Sequence, residues 1–284
     1  MGETGMTEDN KNAHHLIEKR YGETPGILSE GGPQELLISM LSRGSCRAFQ
    51  NRTVPDEVLN LLCATAFAAP TKSDLQQRDI IVVKCPQRRT EIAGLVGGQA
   101  WVAQAPTLLV FCGNNRRQRL LHKWHDVPFA NDHLDALFNA VADAAIALGA
   151  FVTAAEALGL GCCPISAIRN EAKSVSQLLN LPDHVFPFAG LALGYPKHPA
   201  DISCRLPLSV TYHTDRYTEE GLQDKISGYD ARRAKTQPYE KQRFVTTFGE
   251  KAPYTWSDDK VRQYSEKERA DFGTYIRDIG FKLD

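Results

Sequence analysis

The strongest structural signal in this chain is LDALFNAVADAAIALGAFVTAAEALGLGCCPIS, at residues 134–166. Its apolar residues recur at the i, i+3, i+4, i+7 spacing of a helix, and alanines fill much of the remaining surface. A helix of this kind can be buried on several sides, so it is either the core of a domain or a subunit interface. A membrane span is the alternative, but Asp135, Asp143 and Glu156 interrupt it. We therefore predict a long buried helix that ends at Gly159 and leads into a buried strand.

Composition restricts the class of protein. The chain has 284 residues, 42% of them hydrophobic, which suits one sizeable domain with appendages. A net charge of −1 gives no argument for a nucleic-acid or anionic-membrane partner, and we expect neither. Residues 1–24 lack the apolar stretch of a signal peptide, so we expect a cytoplasmic protein. Seven cysteines without a CxxC pair predict reduced thiols and no zinc site.

The other periodic segments predict an α+β fold, because strands and helices follow one another without a regular βαβ rhythm. Pro187 favours an edge position for the last strand. Residues 1–33 are interpreted as a partly mobile extension, followed by a domain at 34–284. The last part of this domain, 200–284, is interpreted as a C-terminal excursion. Residues 114–131 are interpreted as a basic, aromatic connection. Predicted strands cover 79–84, 107–112, 162–165 and 186–194, and predicted helices cover 33–41, a segment capped by Thr53 that stops before Pro70, 87–95, 170–179 and 257–279.

Few sequence motifs of catalysis are present. There is no G-x-S-x-G, H-E-x-x-H, Walker loop or G-x-G-x-x-G opening a helix. His122 and His125 could face one metal ion, but a solvated helix face is the favoured interpretation. Arg43, Ser45 and Arg47 alternate along an extended segment, so they point to one side and suit a phosphate or another polyoxygen anion. Taken alone, this triplet is still better explained as a solvated basic turn.

Further short motifs reduce the weight of that alternative. Together they resemble the FMN-dependent nitroreductase family over residues 38–280, and most closely its NADPH-preferring branch, the major oxygen-insensitive nitroreductases and flavin reductase P. The similar pieces occur in family order: 43–49 (RGSCRAF), 97–99 (GGQ) with 102–106 (VAQAP), 157–161 (ALGLG), 168–170 (IRN), 193–196 (LGYP), 205–207 (RLP) and 255–258 (TWSD).

The resemblance implies an intertwined α+β homodimer, with a mainly antiparallel central sheet flanked by helices and long central helices packed across the interface. It also implies an FMN site in which Arg43, Ser45 and Arg205 hold the phosphate, while Arg47 and Gln99 reach the ribityl chain and the pyrimidine edge. The full set of implied cofactor-binding residues is Arg43, Gly44, Ser45, Arg47, Thr71, Ser73, Asp74, Gln76, Gln99, Pro164, Ile165, Ser166 and Arg205.

Two residues are implied to act at the reacting centre. The backbone N–H near Ser166 would bond to flavin N5, and Arg269 would lie near nicotinamide and substrate. Thr71, Ser73 and Asp74 would come from the partner subunit and lie over the ring. A mobile charged segment, 231–251, would hold the NADPH 2′-phosphate through Arg232, Arg233, Lys241 and Arg243.

This sequence departs from the family pattern at several positions. Ser203 stands where a basic residue is usual, and Ala167 stands where a glycine follows the N5-binding residue. Lys72 and Asp74 occupy a loop in which small or amide residues are common. We therefore expect altered phosphate binding and an altered substrate pocket.

The expected function is transfer of hydride from NADPH or NADH, through FMN, to a small electron acceptor of nitroaromatic or quinone type by a ping-pong cycle. Three alternatives keep the fold: a flavin reductase, a reductive dehalogenase, and a dehydrogenase acting on a biosynthetic intermediate. A fourth is a non-catalytic flavin-binding dimer, which Ser203 and Ala167 alone support.

Overall fold

The computed structural model describes residues 8–23, 35–97 and 99–284. The chain divides into two compact units. The sheet unit comprises Ser45–Ala200 and Arg269–Asp284, and the helical unit comprises Met1–Gly44 and Asp201–Glu268. The boundary at residue 33 that the sequence predicts lies outside the described residues, as does Gly98.

The described residues form thirteen α-helices and four strands. The helices are α1 (Glu8–Tyr21), α2 (Glu35–Ser42), α3 (Asp56–Phe67), α4 (Pro86–Leu95), α5 (Ala100–Ala103), α6 (Arg116–Trp124), α7 (Leu134–Ala157), α8 (Ala172–Leu178), α9 (Leu208–Thr211), α10 (Leu222–Thr236), α11 (Val245–Phe248), α12 (Trp256–Tyr264) and α13 (Phe272–Asp278). The strands are β1 (Arg78–Val83), β2 (Thr107–Asn114), β3 (Gly161–Ile165) and β4 (Val185–Gly194), and two 3₁₀ helices cover Lys72–Asp74 and Ser166–Arg169.

The four strands form one antiparallel sheet in the order β1-β2-β4-β3. Successive side chains of a strand point to opposite faces. In β2, Leu109 and Phe111 pack in a cluster with residues of α3 and α7, whereas Leu108 and Val110 pack with residues of α4, α5 and α8. Every residue of β2 is therefore buried, which explains its continuous apolar sequence. The predicted α+β architecture with a mainly antiparallel central sheet is confirmed.

Helix α7 confirms the long helix predicted for 134–158. Its small residues face the core of the sheet unit, so the helix lies close against the sheet. The ring centroids of Phe151 and Phe111 are 5.5 Å apart in an edge-to-face arrangement. By length and composition α7 could cross a membrane, but eight of its side chains are buried in protein. Its larger residues Leu134, Phe138 and Ile146 are 50%, 66% and 41% exposed. The second buried side that the sequence predicts is thus not covered within one chain.

The prediction of an edge position for the strand at 186–194 is wrong. Strand β4 lies between β2 and β3. Pro187 is tolerated because β3 pairs only with the part of β4 from Gly190 to Gly194. At Pro187, β4 therefore has one neighbour, β2, and a register irregularity follows between Phe111 and Cys112. The rule against proline in a doubly paired strand still holds locally.

Several helix predictions need correction. The predicted connection 114–131 contains α6, a helix with no buried residue, and the predicted helix 257–279 is two helices, α12 and α13. Pro55, not Thr53, is the N-cap of α3. The buried face of α3 consists of Leu59, Leu62 and Ala66, whereas Leu61 is 55% exposed.

The helical unit contains α1, which the sequence interpretation treated as part of a mobile extension. Ala13, Leu16 and Arg20 of this helix are buried, so it is a packed element rather than an arm. The helix ends at Tyr21, and Gly22 follows with φ of +74°. A left-handed glycine after the last turn is a common helix stop. A Cβ at Gly22 would also lie 2.4 Å from Nε of Arg232, so a substitution here would strain the backbone and displace the Arg232 side chain.

Candidate functional site

Arg43 and Arg205, the predicted phosphate ligands of the helical unit, are held by one residue. The backbone carbonyl of Arg43 accepts a hydrogen bond from Arg20 Nη2 at 2.6 Å, and the backbone N–H of Arg205 donates to the carbonyl of Arg20 at 2.7 Å. The structure thus brings these two segments together. Gly44, next to Arg43, is buried.

The side chain of Arg205 suits an anion. It is exposed, and its Nη1 donates to two neutral oxygens, Ser203 Oγ at 2.8 Å and the carbonyl of Cys204 at 3.3 Å. Hydrogen bonds to neutral oxygens leave the positive charge of a guanidinium available to a phosphate. The serine at 203, where the family resemblance implies a base, therefore orients Arg205 rather than adding charge.

Arg205 also lines a cavity of about 590 Å³ in the helical unit. Its lining combines three cations with four aromatic side chains and contains no carboxylate. This chemistry favours an anionic group next to an apolar or aromatic one. The cations are Arg205, Arg233 and Lys260, and the aromatic residues are Tyr21, Tyr229, Tyr239 and Trp256.

In the sheet unit, Ser45 and Arg47 are both exposed, whereas Cys46 between them is buried. This is the alternation that the extended segment predicts. The segment lies along β3, since the Cys46 N–H donates to the carbonyl of Cys162 at 2.9 Å. The close approach depends on Gly161, because a Cβ there would lie 2.6 Å from Sγ of Cys46.

Arg47 and Gln99 share a neighbour that the sequence interpretation missed. The Arg47 guanidinium lies 5.7 Å from the centre of the Trp101 ring, and Trp101 Nε1 donates to Gln99 Oε1 at 2.9 Å. Gln99 Nε2 donates to the Val96 carbonyl at 3.3 Å. Trp101 thus links the two residues predicted to reach the ribityl chain and the pyrimidine edge. The position of Trp101, two residues after Gln99, was the sequence feature that could have indicated this contact.

The residues predicted to contact flavin N5 lie at the end of β3. Pro164 and Ser166 are exposed, and Ile165 between them is buried. Ser166 begins the 3₁₀ helix that follows the strand. The chain therefore turns from a core strand at this point, which fixes the backbone of Ser166 relative to the sheet.

The loop predicted to come from the partner subunit has an unusual backbone. Ser73, Asp74 and Gln76 have φ of 46°, 57° and 52°. Left-handed conformations are unfavourable for residues other than glycine, and they persist only where the surroundings enforce them. Within the loop, Thr71 Oγ1 accepts from the Gln76 N–H at 3.4 Å and Gln76 Nε2 donates to Asp74 Oδ1 at 3.1 Å.

Asp143 of α7 anchors this loop, and the sequence interpretation did not identify its role. Its carboxylate is fully buried and accepts backbone hydrogen bonds from Lys72 at 2.9 Å and Gln77 at 2.8 Å. Arg78 Nη1 lies 4.0 Å from the same carboxylate. Arg117 adds a bond from its Nη2 to the Gln76 carbonyl at 2.6 Å. A carboxylate in the middle of an alanine-rich, buried helix was a signal for such an anchor.

Arg269 does not lie in a helix, contrary to the prediction of one helix over 257–279. It occupies the segment between α12 and α13 with φ of 54°, and its Nη1 donates to Asn170 Oδ1 at 3.1 Å. Burial lowers the pKa of the neighbouring Arg169, and the charge of Arg269 lowers it further. The structure thus brings Arg269 to the 168–170 segment that follows β3.

The charged segment predicted to be mobile, 231–251, is partly helical. Arg232 and Arg233 lie in α10, and Arg232 donates to the carbonyls of Arg20 and Arg205. Arg233 Nη1 donates to the Tyr229 hydroxyl at 3.4 Å. Arg243 Nε pairs with Asp259 at 3.1 Å. These arginines hold the helical unit together in this structure, and their proposed contact with a 2′-phosphate stays a prediction.

His122 and the cysteines have structural explanations. His122 Nδ1 lies 3.2 Å and 3.0 Å from the carbonyls of Val127 and Pro128, at the end of α6. Within residues 8–23, 35–97 and 99–284, no group of three His, Cys, Asp or Glu side chains could hold a metal ion. Cys46, Cys63, Cys85, Cys112 and Cys204 are free thiols. Burial raises the pKa of the thiols of Cys46, Cys63 and Cys112, which disfavours the reactive thiolate.

Comparison with known proteins gives two family matches that together span most of the chain. Residues 40–195 match the nitroreductase family, and residues 203–284 match the C-terminal domain of the nitroreductase family. The gap between the matched regions falls close to the boundary of the two compact units.

Individual relatives agree with these matches. The chain is 36% identical over 202 residues to an NAD(P)H-dependent FMN reductase of Bacillus subtilis, covering 69% of this chain and 80% of the relative. It is 32% identical over 248 residues to an NADPH-dependent FMN reductase of the same organism, covering 86% and 96%. Among solved structures, NfrA2 of B. megaterium is similar with a TM-score of 0.81 and 30% identity, covering 89% of this chain and all of that one.

Proposed function

The chain belongs to the nitroreductase family, and we propose that it passes electrons from NADPH or NADH, through FMN, to a small electron-poor acceptor of nitroaromatic or quinone type. The observation that carries this proposal is the match of both 40–195 and 203–284 to the family, whose relatives here are named FMN reductases. The enzyme is a flavin-dependent NAD(P)H oxidoreductase. The acceptor class and the roles of single residues are the proposal.

The donor set of this chain fits FMN. We assign Arg43, Ser45 and Arg205 to the phosphate, which needs cationic and hydroxyl donors. The guanidinium of Arg205, bonded here to neutral oxygens, supports that assignment. Gly44, between Arg43 and Ser45, would contribute backbone atoms to the same phosphate site.

Arg47 and Gln99 are assigned to the ribityl chain and the pyrimidine edge. When bound, FMN would supply two-electron hydride chemistry between the nicotinamide and the acceptor. The positive charge of Arg47 near the pyrimidine edge would favour the more negative, reduced cofactor. The cation–π contact of Arg47 with the Trp101 ring supports this role, because it favours positions of the guanidinium next to Gln99.

The segment Pro164, Ile165 and Ser166 is assigned to the edge of the ring that carries N5, with the Ser166 backbone N–H as donor. The side chain of Arg269 is assigned to the nicotinamide amide and to an oxygen of the acceptor. In these roles the residues orient reactants and exclude water, and no side chain need act as an acid or base.

We propose that the functional form is a homodimer. The exposed Leu134, Phe138 and Ile146 of α7 support this, together with Leu61 of α3, 55% exposed. Large apolar residues exposed along a helix whose small residues are buried are typical of an interface. In the dimer, the loop with Thr71, Ser73, Asp74 and Gln76 would contribute to the partner's site. Asp143 holds both ends of this loop, which suits that task because a held loop loses less conformational freedom on binding.

We further propose a soluble cytoplasmic protein with no nucleic-acid or membrane partner. The net charge of −1 and the burial of eight side chains of α7 support this proposal.

The test is reduction of the purified protein in two separate half-reactions. Under argon, NADPH or NADH should bleach a yellow protein that carries about one FMN per chain, and a nitroaromatic or a quinone should restore the colour. Light scattering should give a dimer. A protein that binds FMN but is not bleached by either nucleotide is a flavin binder without this activity, and the proposal fails.

Flavin reduction is a second candidate, because two relatives carry the name FMN reductase. In that case free FMN is the acceptor. Stopped-flow oxidation of the reduced enzyme by free FMN and by a nitroaromatic at equal concentration discriminates the two, since the faster acceptor identifies the activity.

A further inference from the structure

Arg20, the penultimate residue of α1, is a buried arginine whose side chain binds the segments on both sides of the proposed phosphate site. It is 4% exposed. Its Nη2 donates to the carbonyls of Leu41 at 2.8 Å and Arg43 at 2.6 Å, and its Nε donates to Leu41 at 3.1 Å. Its Nη1 donates to the carbonyl of Ser203 at 3.4 Å. One guanidinium therefore connects residues 41–43 to residue 203.

The backbone of Arg20 makes a second connection. A carbonyl in the last turn of a helix has no partner within the helix. The carbonyl of Arg20 accepts from the Arg205 N–H at 2.7 Å and from Arg232 Nη1 at 3.5 Å. Arg232 Nη2 also donates to the Arg205 carbonyl at 2.8 Å. The carbonyl of Arg20 thus holds the peptide before the Arg205 Cα atom, and Arg232 of α10 holds the peptide after it.

These contacts have a common geometric effect. The Cα atoms of Arg43 and Arg205 are each held through their own peptide groups, and both are held to the same residue. Two guanidiniums that bind one phosphate must start from a fixed separation, because each misplaced donor loses part of its contribution. A rigid carbonyl–guanidinium link supplies that separation before the ligand arrives.

We infer that Arg20 is a positioning residue for the cofactor phosphate, so that the N-terminal helix is part of the flavin site and determines the preference of the enzyme for FMN over riboflavin. The inference rests on the proposed function. It assigns Arg20 no contact with the cofactor, since its side chain is committed to backbone carbonyls. Its effect is on the phosphate alone, because the residues it holds are those assigned to the phosphate.

The experiment compares flavin binding by the apoprotein with FMN and with riboflavin, which lacks the phosphate. Quenching of flavin fluorescence gives both dissociation constants. The dissociation constant for riboflavin divided by that for FMN measures recognition of the phosphate. Arg20→Ala should lower this ratio at least tenfold and leave the riboflavin constant unchanged. Arg20→Lys, which keeps the charge but cannot reach the same set of carbonyls, should lie between Arg20→Ala and the wild type.

Two further variants serve as the positive and the negative control. Arg205→Ala removes a proposed phosphate ligand directly and should lower the same ratio. Lys19→Ala alters the exposed neighbour of Arg20 on α1 and should leave the ratio as in the wild type. Far-UV circular dichroism and the urea midpoint establish that each variant is folded. Arg20→Lys gives the measurement if Arg20→Ala does not fold.

The outcomes separate the inference from the proposed function. A wild-type protein that prefers FMN, with a folded Arg20 variant that keeps the wild-type ratio, overturns the inference and leaves the function intact. Equal weakening of FMN and riboflavin also overturns it, because that is the result of a general structural role. A wild-type protein that binds neither flavin contradicts the proposed function and the inference together.

Discussion

The carboxylate of Asp143, in the middle of α7, accepts a hydrogen bond from the backbone N–H of Gln77 across 2.8 Å. The same carboxylate accepts from Lys72, so one buried side chain fixes both ends of the left-handed loop between them. Removal of this acceptor leaves two backbone donors unsatisfied and leaves Arg78, which is 4% exposed, without its ion-pair partner.

We therefore expect Asp143→Ala to lower the free energy of unfolding by about 3–5 kcal/mol, the range for breaking a buried ion pair. Urea unfolding followed by circular dichroism measures it. Asp135→Asn, an exposed change in the first turn of α7, is the control and should lose less than about 1 kcal/mol. Equal losses in the two variants would mean that Asp143 has no special role as an anchor.

Gly161→Ala should damage both the sheet and the 45–47 segment. The new Cβ would lie 2.6 Å from Cys46 Sγ and 2.7 Å from Cys46 Cβ, so the segment must move. Overpacking of this kind destabilises by about 1–3 kcal/mol. We expect that loss in urea unfolding, together with weaker FMN binding, because Ser45 and Arg47 flank the displaced residue.

The matched control for Gly161 is Gly94 in α4, where a Cβ would meet nothing within 4 Å. Gly94→Ala should raise the free energy of unfolding by about 0.5–1 kcal/mol, because alanine is the better helix former. Unaltered stability and FMN affinity in Gly161→Ala would show that the segment tolerates displacement.

Arg269 allows stability and rate to be separated. Its φ of 54° is unfavourable for any residue with a Cβ and free for glycine. Arg269→Ala and Arg269→Gly both remove the guanidinium, so both should slow reduction by NAD(P)H and reoxidation by the acceptor to the same extent. The glycine variant should be the more stable of the two by about 1 kcal/mol.

Stopped-flow traces of the two half-reactions and urea unfolding of both Arg269 variants provide the measurements. FMN content should stay at the wild-type level in both. If neither half-reaction changes in rate constant or apparent affinity, the side chain is a surface group, bonded to Asn170 and without a part in turnover.

The stability of the sheet unit should depend on pH through Asp132. A hydrogen bond from Arg119 and a second from Lys282 lower the pKa of its carboxyl to about 2. Because this pKa is below that of the unfolded chain, the unfolded chain binds the proton more readily, and stability falls as pH falls. The contribution is complete above about pH 5 and is lost as the pH approaches 2.

Asp132→Asn should therefore be less stable than the wild type near pH 6, by about 1 kcal/mol after allowance for solvent screening. The difference should shrink as the pH is lowered towards 2. Unfolding free energies across this range measure it, with Asp126→Asn, an exposed position, as the control. A difference that is constant with pH would rule out the ion pairs as its source.

The sequence was a good guide where apolar periodicity determines structure, and a poor one where hydrogen bonds do. Helix α7 and the buried strands were predicted because their side chains alone reveal burial. Helix α6 was not, because none of its residues is buried, and its arginines bond to other parts of the sheet unit. The break between α12 and α13 contains neither proline nor glycine, so no local signal marks it.

The site shows the same division. The alternation of Arg43, Ser45 and Arg47 could be read from the sequence, since side-chain type carries the information. Arg20 could not, because its partners are backbone carbonyls, which every residue possesses. Asp143 was noticed only as an interruption in an apolar helix, although its partners are the N–H groups of a loop 66 and 71 residues away.

The link between Arg20 and Ser203 also sets an order of events during synthesis. The two residues are 183 positions apart, so α1 leaves the ribosome long before the segment it holds. At about 5–20 residues per second, the interval is roughly 10–40 s. The residues proposed to bind the phosphate cannot reach their final separation before residue 203 is made.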